Sequence, residues 1–482
     1  MSDTPKSAKA ESEDSTDTES EEEIVIPRES TLQGRTVSQH RKAFVQWVNE
    51  EMYPQVLQKV KDQTTQGSSL KVYRMLIQTY LGIDTPFRGL LVYHGLGTGK
   101  TASAVSLAEG LSSDLPIRTL LPASLETEFI KEVRRWGLRD LNEDNTWTYK
   151  AYKDWSKEEL ATLKETRGLD GKALQKILRK TQSSYKKELI QESEATDEEL
   201  ESLLQTAVSE IKDKKGFWTP DPSGTRTEDL TPVERACVRQ QIQWLIAQKY
   251  NFIHYKPFPK VKASSIPELV EGEEESEEDD EWEPGESKAI ATHNQAIVKQ
   301  LETRLKHNRK HHGIDSPFYK EVIIIDEVHN FVRQILNQSK TSLIFYQWIV
   351  NAKDVKLVFL SGTPVINKPC EIAILFNMLK GLIRVYSVSL QTTLSPEEMT
   401  KRLQEVIYAS PSPIELFYVE PKQGKLVISF IQESSGFESL AETPEEGPSL
   451  VYTIQTQDAT FQDFVTSIYH AIRQVVPQDV SS

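Results

Sequence analysis

The stretch from Leu90 to Thr101 restricts the fold of this chain more than any other. Leu90-Leu91-Val92-Tyr93 is a short apolar strand. It meets a glycine-rich turn, Gly95-Leu96-Gly97-Thr98-Gly99, which opens through Lys100-Thr101 into a helix reaching about Leu111. Five of the 21 glycines lie between residues 82 and 99, so the enrichment is local. Glycines let the backbone curl until successive N–H groups face one anion, and the helix N-terminus adds the positive end of its dipole. In such a cradle Lys100 reaches the β- and γ-phosphates of a nucleotide, and the Thr101 hydroxyl is a ligand for Mg2+. Strand, turn and helix in this order form half of a parallel α/β unit.

A phosphate cradle needs an acidic partner at a neighbouring strand end. Val322-Ile323-Ile324-Ile325 is a buried strand followed by Asp326-Glu327-Val328-His329. Asp326 is placed to hold Mg2+, directly or through water, and Glu327 to orient or deprotonate an attacking water. His329 has two readings, coupling of nucleotide state to the next motif or capping of a helix. A third apolar strand, Val355–Leu360, ends in Ser361-Gly362-Thr363-Pro364, whose hydroxyls can bond the acidic turn and sense the γ-phosphate. After a strand at Thr119–Leu121 comes Pro122-Ala123-Ser124-Leu125. There Ser124 and the following helix N-terminus can hold a backbone phosphate of nucleic acid, with Lys131, Arg134 and Arg135 on that helix. An ordinary strand-to-helix turn is the alternative. Residues 249–258 interleave aromatics with bases, which suits either base stacking or a core strand. HNRKHH at 307–312 reads as a solvated basic loop, because no Cys or acid stands at metal-ligand spacing.

The strand and helix alternation of 89–125 resumes at 322–360, so 141–320 reads as a largely helical insertion in one α/β domain spanning 36–381. Thr231-Pro232-Val233-Glu234 is a helix start inside it. Residues 382–482 read as a small α+β unit, with strands at 383–389, 413–419, 425–431 and 449–455 and helices at 396–408 and 459–474. Residues 1–35 form an acidic, disordered tail. Acid runs at 11–23 and 271–283 hold eight and ten acids; set against the formal net charge of −15, they leave the rest of the chain at +3. The acidic total therefore does not exclude nucleic acid as a partner. Two cysteines, Cys237 and Cys370, cannot build a disulfide framework, which points to an intracellular setting. No apolar run approaches the roughly 18–20 residues of a membrane span.

HGLGTGKT (94–101), LPASLETEF (121–129), IIIDEVHNF (323–331) and FLSGTPVINKPCEIAILFNML (359–379) occur in the order of helicase motifs I, Ia, II and III. His94 stands where the general phosphate-loop pattern has Gly, and the looser x-x-x-G-x-G-K-T form fits helicases and translocases. The chain thus resembles the superfamily 2 helicase-like ATPases, and more narrowly the DEAD/H helicases of nucleo-cytoplasmic large DNA viruses. That group includes proteins similar to the poxvirus early transcription factor small subunit and nucleoside triphosphate phosphohydrolase I. The resemblance implies a RecA-like parallel sheet, the phosphate-loop NTPase fold of helicase lobe 1, with residues 95–101 binding ATP and Mg2+. It implies Lys100, Asp326 and Glu327 as the catalytic set, and His329, Ser361, Gly362 and Thr363 as the coupling set. Pro122, Ala123 and Ser124 would contact DNA or RNA. A viral setting in host cytoplasm, viral factory or virion goes with it, as does partnership with viral RNA polymerase.

Two departures matter. Arg74 stands where the family has its adenine-reading Gln, with Gln78 nearby. The Q-x-x-G-R-x-x-R element of a second RecA-like lobe is missing after residue 381, so lobe 2 is expected on a second chain or outside this sequence. A non-catalytic ATP-binding partner in transcription or packaging therefore stays open beside the helicase reading.

Overall fold

The computed structural model describes residues 36–37, 42–63, 69–82, 85–93, 100–111, 115–137, 139–192, 197–256, 286–363, 368–381, 383, 385–407, 409, 412–432, 437–440, 449–452 and 461–476. Its centre is a five-stranded sheet of β1 (Gly89–Tyr93), β2 (Ile117–Pro122), β3 (Phe252–Lys256), β4 (Val322–Ile325) and β5 (Lys356–Ser361). The order is β1-β5-β4-β2-β3 and every pairing is parallel. Every residue of β2, β4 and β5 is buried, the pattern required where helices cover both faces of a sheet. Successive strand residues point to opposite faces. Ile324 and Val358 accordingly join one core with Val105, Ala108 and Phe129, while Ile323 and Phe359 join the other with Phe331, Phe345 and Trp348.

The covering helices are α1 (Lys100–Leu111), α2 (Glu126–Trp136), α3 (Pro232–Tyr250), α4 (Val328–Leu336), α5 (Lys340–Asn351) and α6 (Cys370–Lys380). Small residues bring α1 close to the sheet: Ala102, Ser103 and Ala104 are all buried. Gly89 serves the same end on β1, since a Cβ there would stand 2.7 Å from Leu379 Cδ2 of α6. This is a RecA-like α/β fold.

The insertion holds a three-stranded antiparallel sheet of Thr146–Ala151, Gly216–Pro220 and Thr225–Arg226 with helices Lys157–Arg167, Gly171–Glu192 and Asp197–Asp213. The helix start read at Thr231 is present as a full capping box: Glu234 N donates to Thr231 Oγ1, and Thr231 N to the Glu234 carboxylate. The expected extent of the insertion is corrected. The chain is back on the central sheet at β3, long before residue 320, and helix Glu286–His312 then packs Leu301 and Leu305 against β3 and β4. The loop expected at HNRKHH is also corrected, being the last turns of that helix.

Beyond α6, Val385–Leu390, Lys425–Gln432 and Ile414–Lys422 form an antiparallel sheet in that order. Helices Pro396–Ile407 and Phe461–Val475 share its core through Leu403, Ile428, Phe430, Phe464 and Ile468. This α+β region has one strand more than expected, Phe437–Leu440. That strand pairs with Ser449–Tyr452 in a separate sheet whose other edge is Thr36–Val37. Lys380 Nζ, 3.2 Å from the buried Glu415 carboxylate, ties α6 to the region.

Candidate functional site

In a parallel sheet all strand C-termini open on one edge, and loops there carry ligands. The turns after β1, β2, β4 and β5 are therefore gathered on that edge by topology alone. Lys100 is the first residue of α1, and Thr101, half-buried, is the second. Gly95, Leu96, Gly97, Thr98 and Gly99 lie outside the described residues, as does the side chain of Arg74.

Lys100 Nζ lies 3.7 Å from Glu327 Oε1, and this buried amine has no hydrogen-bond partner among the described residues. Glu327 has φ 47° and ψ 49°, left-handed backbone that few non-glycine residues adopt. The turn is held from three sides. Glu327 N donates to Asp326 Oδ1, Asp326 N donates to Leu120 O of β2, and Asn330 N donates to Glu327 O. Burial, and after it the Glu327 charge, pushes the Asp326 carboxyl up to about 6. Among the described residues, two carboxylates with one amine form a site short of positive charge.

His329 Nδ1 lies 3.2 Å from Glu327 Oε2 and 3.0 Å from the Oγ of the fully buried Ser361. Burial, the largest cause, lowers the His329 pKa, which favours a neutral ring. Thr363 N donates to the same Ser361 Oγ, while the Thr363 side chain is exposed and Gly362 half-buried. The turns after β1, β4 and β5 thus meet through Lys100, Glu327, His329 and Ser361.

On the far side of β4, Pro122 is buried, Ala123 half-buried and Ser124 exposed, at the start of α2. Two of the three bases read as nucleic-acid contacts are engaged by acids: Lys131 with Glu128 at 2.9 Å and Arg134 with Glu143 at 3.4 Å. Arg135 is exposed and lies over the Trp136 ring. The described aromatics of 249–258 are buried, so the core-strand reading of that segment stands and the stacking reading falls. Gln78 Nε2 donates to Ser106 O, fastening helix Ser69–Tyr80 to α1. Among the described residues no three of His, Cys, Asp and Glu are grouped to hold a metal. No described helix is long and apolar enough to cross a membrane.

Sequence reasoning missed Tyr255. Its hydroxyl, on β3, where residues 252–255 are buried, donates to the carbonyls of both Asp326 (2.7 Å) and Glu327 (2.9 Å). No spacing rule signals a contact across 71 residues of chain.

No family model matches the chain. A provisionally named ATP-dependent RNA helicase of Acanthamoeba polyphaga mimivirus is 36% identical over 64 residues, covering 13% of this chain and 11% of that protein. A termination factor NPH-I homolog of African swine fever virus is 33% identical over 127 residues, covering 23% of this chain and 18% of that protein. A provisionally named helicase of Frog virus 3 is 51% identical over 37 residues, or 8% of this chain and 4% of that protein. The chain spans less than a fifth of the length of the curated relatives it matches. At family level it is similar to the helicase-type NTPases of nucleo-cytoplasmic large DNA viruses.

Proposed function

We propose that this chain is the ATP-binding lobe of a viral superfamily 2 helicase or translocase that couples ATP hydrolysis to movement along DNA or RNA. One observation carries the reading. Lys100, Asp326 and Glu327 converge on the C-terminal edge of a RecA-like sheet, where the glycine-rich turn runs into Lys100.

The residues suit Mg2+ and a nucleotide triphosphate. Thr101 and Asp326 are hard oxygen donors, and Mg2+ commonly takes only one or two protein ligands beside phosphate and water. The raised Asp326 carboxyl and the Lys100 amine, which has no hydrogen-bond partner among the described residues, are the two groups such a ligand would satisfy. When bound, Mg2+ neutralises charge on the β- and γ-phosphates. Lys100 would hold the same phosphates. Glu327 orients the attacking water and takes its proton, and its left-handed turn fixes where the carboxylate stands. His329 and Ser361 link that carboxylate to the Thr363 turn, a route by which loss of the γ-phosphate reaches other parts of the fold.

Ser124, exposed beside the start of α2, is the contact for a nucleic-acid backbone phosphate. The name of the African swine fever virus relative, a termination factor, supports work in viral transcription, with RNA polymerase as a partner. A second RecA-like lobe completes the ATP site.

Equilibrium binding of a fluorescent ATP analogue tests the nucleotide half of the reading. The expected result is affinity that requires Mg2+ and is lost in EDTA. Binding that is absent, or indifferent to EDTA, contradicts it.

A further inference from the structure

We propose that the end of β3 is a bracket joining the two working turns, with Tyr255 as a positioning residue for Glu327 and His254 as its link to the Pro122–Leu125 turn. The proposal rests on the ATPase reading above.

The bracket begins with a register fault. β2 and β3 pair in step from Thr119 and Phe252 to Leu121 and His254, but the next pair is Pro122 with Lys256. Tyr255 is the extra residue at this register shift. A bulge of this kind re-aims the side chain it carries. Here it directs the Tyr255 ring against Phe331 of α4, at 5.8 Å between centroids, and the hydroxyl to the Asp326 and Glu327 carbonyls. Left-handed backbone at a non-glycine residue persists only where the surroundings over-determine it. One buried hydroxyl shared by the two carbonyls of that turn supplies such a constraint.

His254 works on the other side. Its Nε2 lies 2.5 Å from Oε2 of Glu126, the first residue of α2, immediately after the Ala123–Leu125 turn. Adjacent residues of one strand thus reach the helix start behind the turn assigned to nucleic acid and the turn assigned to water activation. A displacement of the first turn of α2 by a bound backbone pulls on His254, and through the bulge it changes the hydroxyl that sets Glu327. Both residues lie in the 249–258 segment, which the sequence reads as base stacking or a core strand and not as part of the ATP site.

The test is steady-state phosphate release from ATP, with and without a saturating single-stranded DNA oligonucleotide, for wild type, Tyr255→Phe and Glu126→Gln. Tyr255→Phe keeps the ring and removes the donor. Its kcat should fall about tenfold, with the KM for ATP within about twofold of wild type. Glu126→Gln should keep the basal rate and lose most of the stimulation by DNA. Thermal melts run alongside, and a fall in kcat matched by an equal fall in folded fraction counts against the proposal. A wild-type kcat in Tyr255→Phe overturns the positioning role. Full stimulation in Glu126→Gln overturns the link. Wild type that releases no phosphate marks failure of the ATPase reading itself, and the bracket falls with it.

Discussion

Glutamine in place of Glu327 is expected to slow phosphate release from ATP by roughly 100- to 10,000-fold, the range attached to a lost general base, while nucleotide binding survives. Gln keeps the shape of the side chain and its place in the left-handed turn, but it carries no charge and accepts no proton from water. Two neighbours respond. Lys100 loses the anion 3.7 Å from its amine, which leaves it to the phosphates alone. Asp326 loses the charge that is the second cause of its raised pKa, so it ionises more readily and holds a cation no less well. The variant should therefore trap nucleotide. Single-turnover phosphate release beside analogue binding makes the comparison. Turnover within about tenfold of wild type would mean that Glu327 is not the base.

The second large effect lies at the opposite edge of the sheet. Arg118 of β2 donates to Glu321, just before β4, at 3.1 Å, and both side chains are buried. Burial is the first cause of both shifts: it lowers the Arg118 pKa and raises that of Glu321, in spite of their pairing. Desolvation thus outweighs attraction at each end, and the pair is a weak source of net stability. Breaking it is another matter. Arg118→Ala leaves a buried carboxyl without its main partner and should cost about 3–5 kcal/mol in urea unfolding. The sign with pH follows from linkage. A carboxyl whose folded pKa lies above its unfolded value stabilises the fold below the unfolded pKa and loses that contribution as pH rises through the folded one. The deficit of Arg118→Ala should therefore grow with rising pH. Arg118→Met combined with Glu321→Leu should recover most of it, because an apolar pair meets no desolvation cost. Equal losses in the single and double variants would contradict this.

The features legible in the sequence are local ones. Leu90–Thr101 announces strand, turn and helix within twelve residues, Val322–Glu327 announces a buried strand with acids at its end, and Thr231–Glu234 closes its own capping box. Features settled by distant partners were not legible. Phe252–Lys256 carries His and Tyr among its apolar residues, and only pairing with β2, more than 130 residues away, makes it part of the main sheet. Arg134 looks free in one dimension and finds Glu143 in three. In the α+β region, strand signals were readable, but the split into two sheets depends on Ser449–Tyr452 meeting Thr36–Val37 from the other end of the chain. The Tyr255 hydroxyl is the functional instance of the same limit, since its acceptors are backbone carbonyls that no residue type advertises.

The central proposal is that ATP hydrolysis in response to nucleic acid runs through the site built on Lys100. The most direct measurement is phosphate release from ATP by the full chain, with and without DNA or RNA, beside Lys100→Ala. Release should rise with nucleic acid in wild type and fall by at least about 100-fold in the variant. Equal release from the two proteins would contradict it.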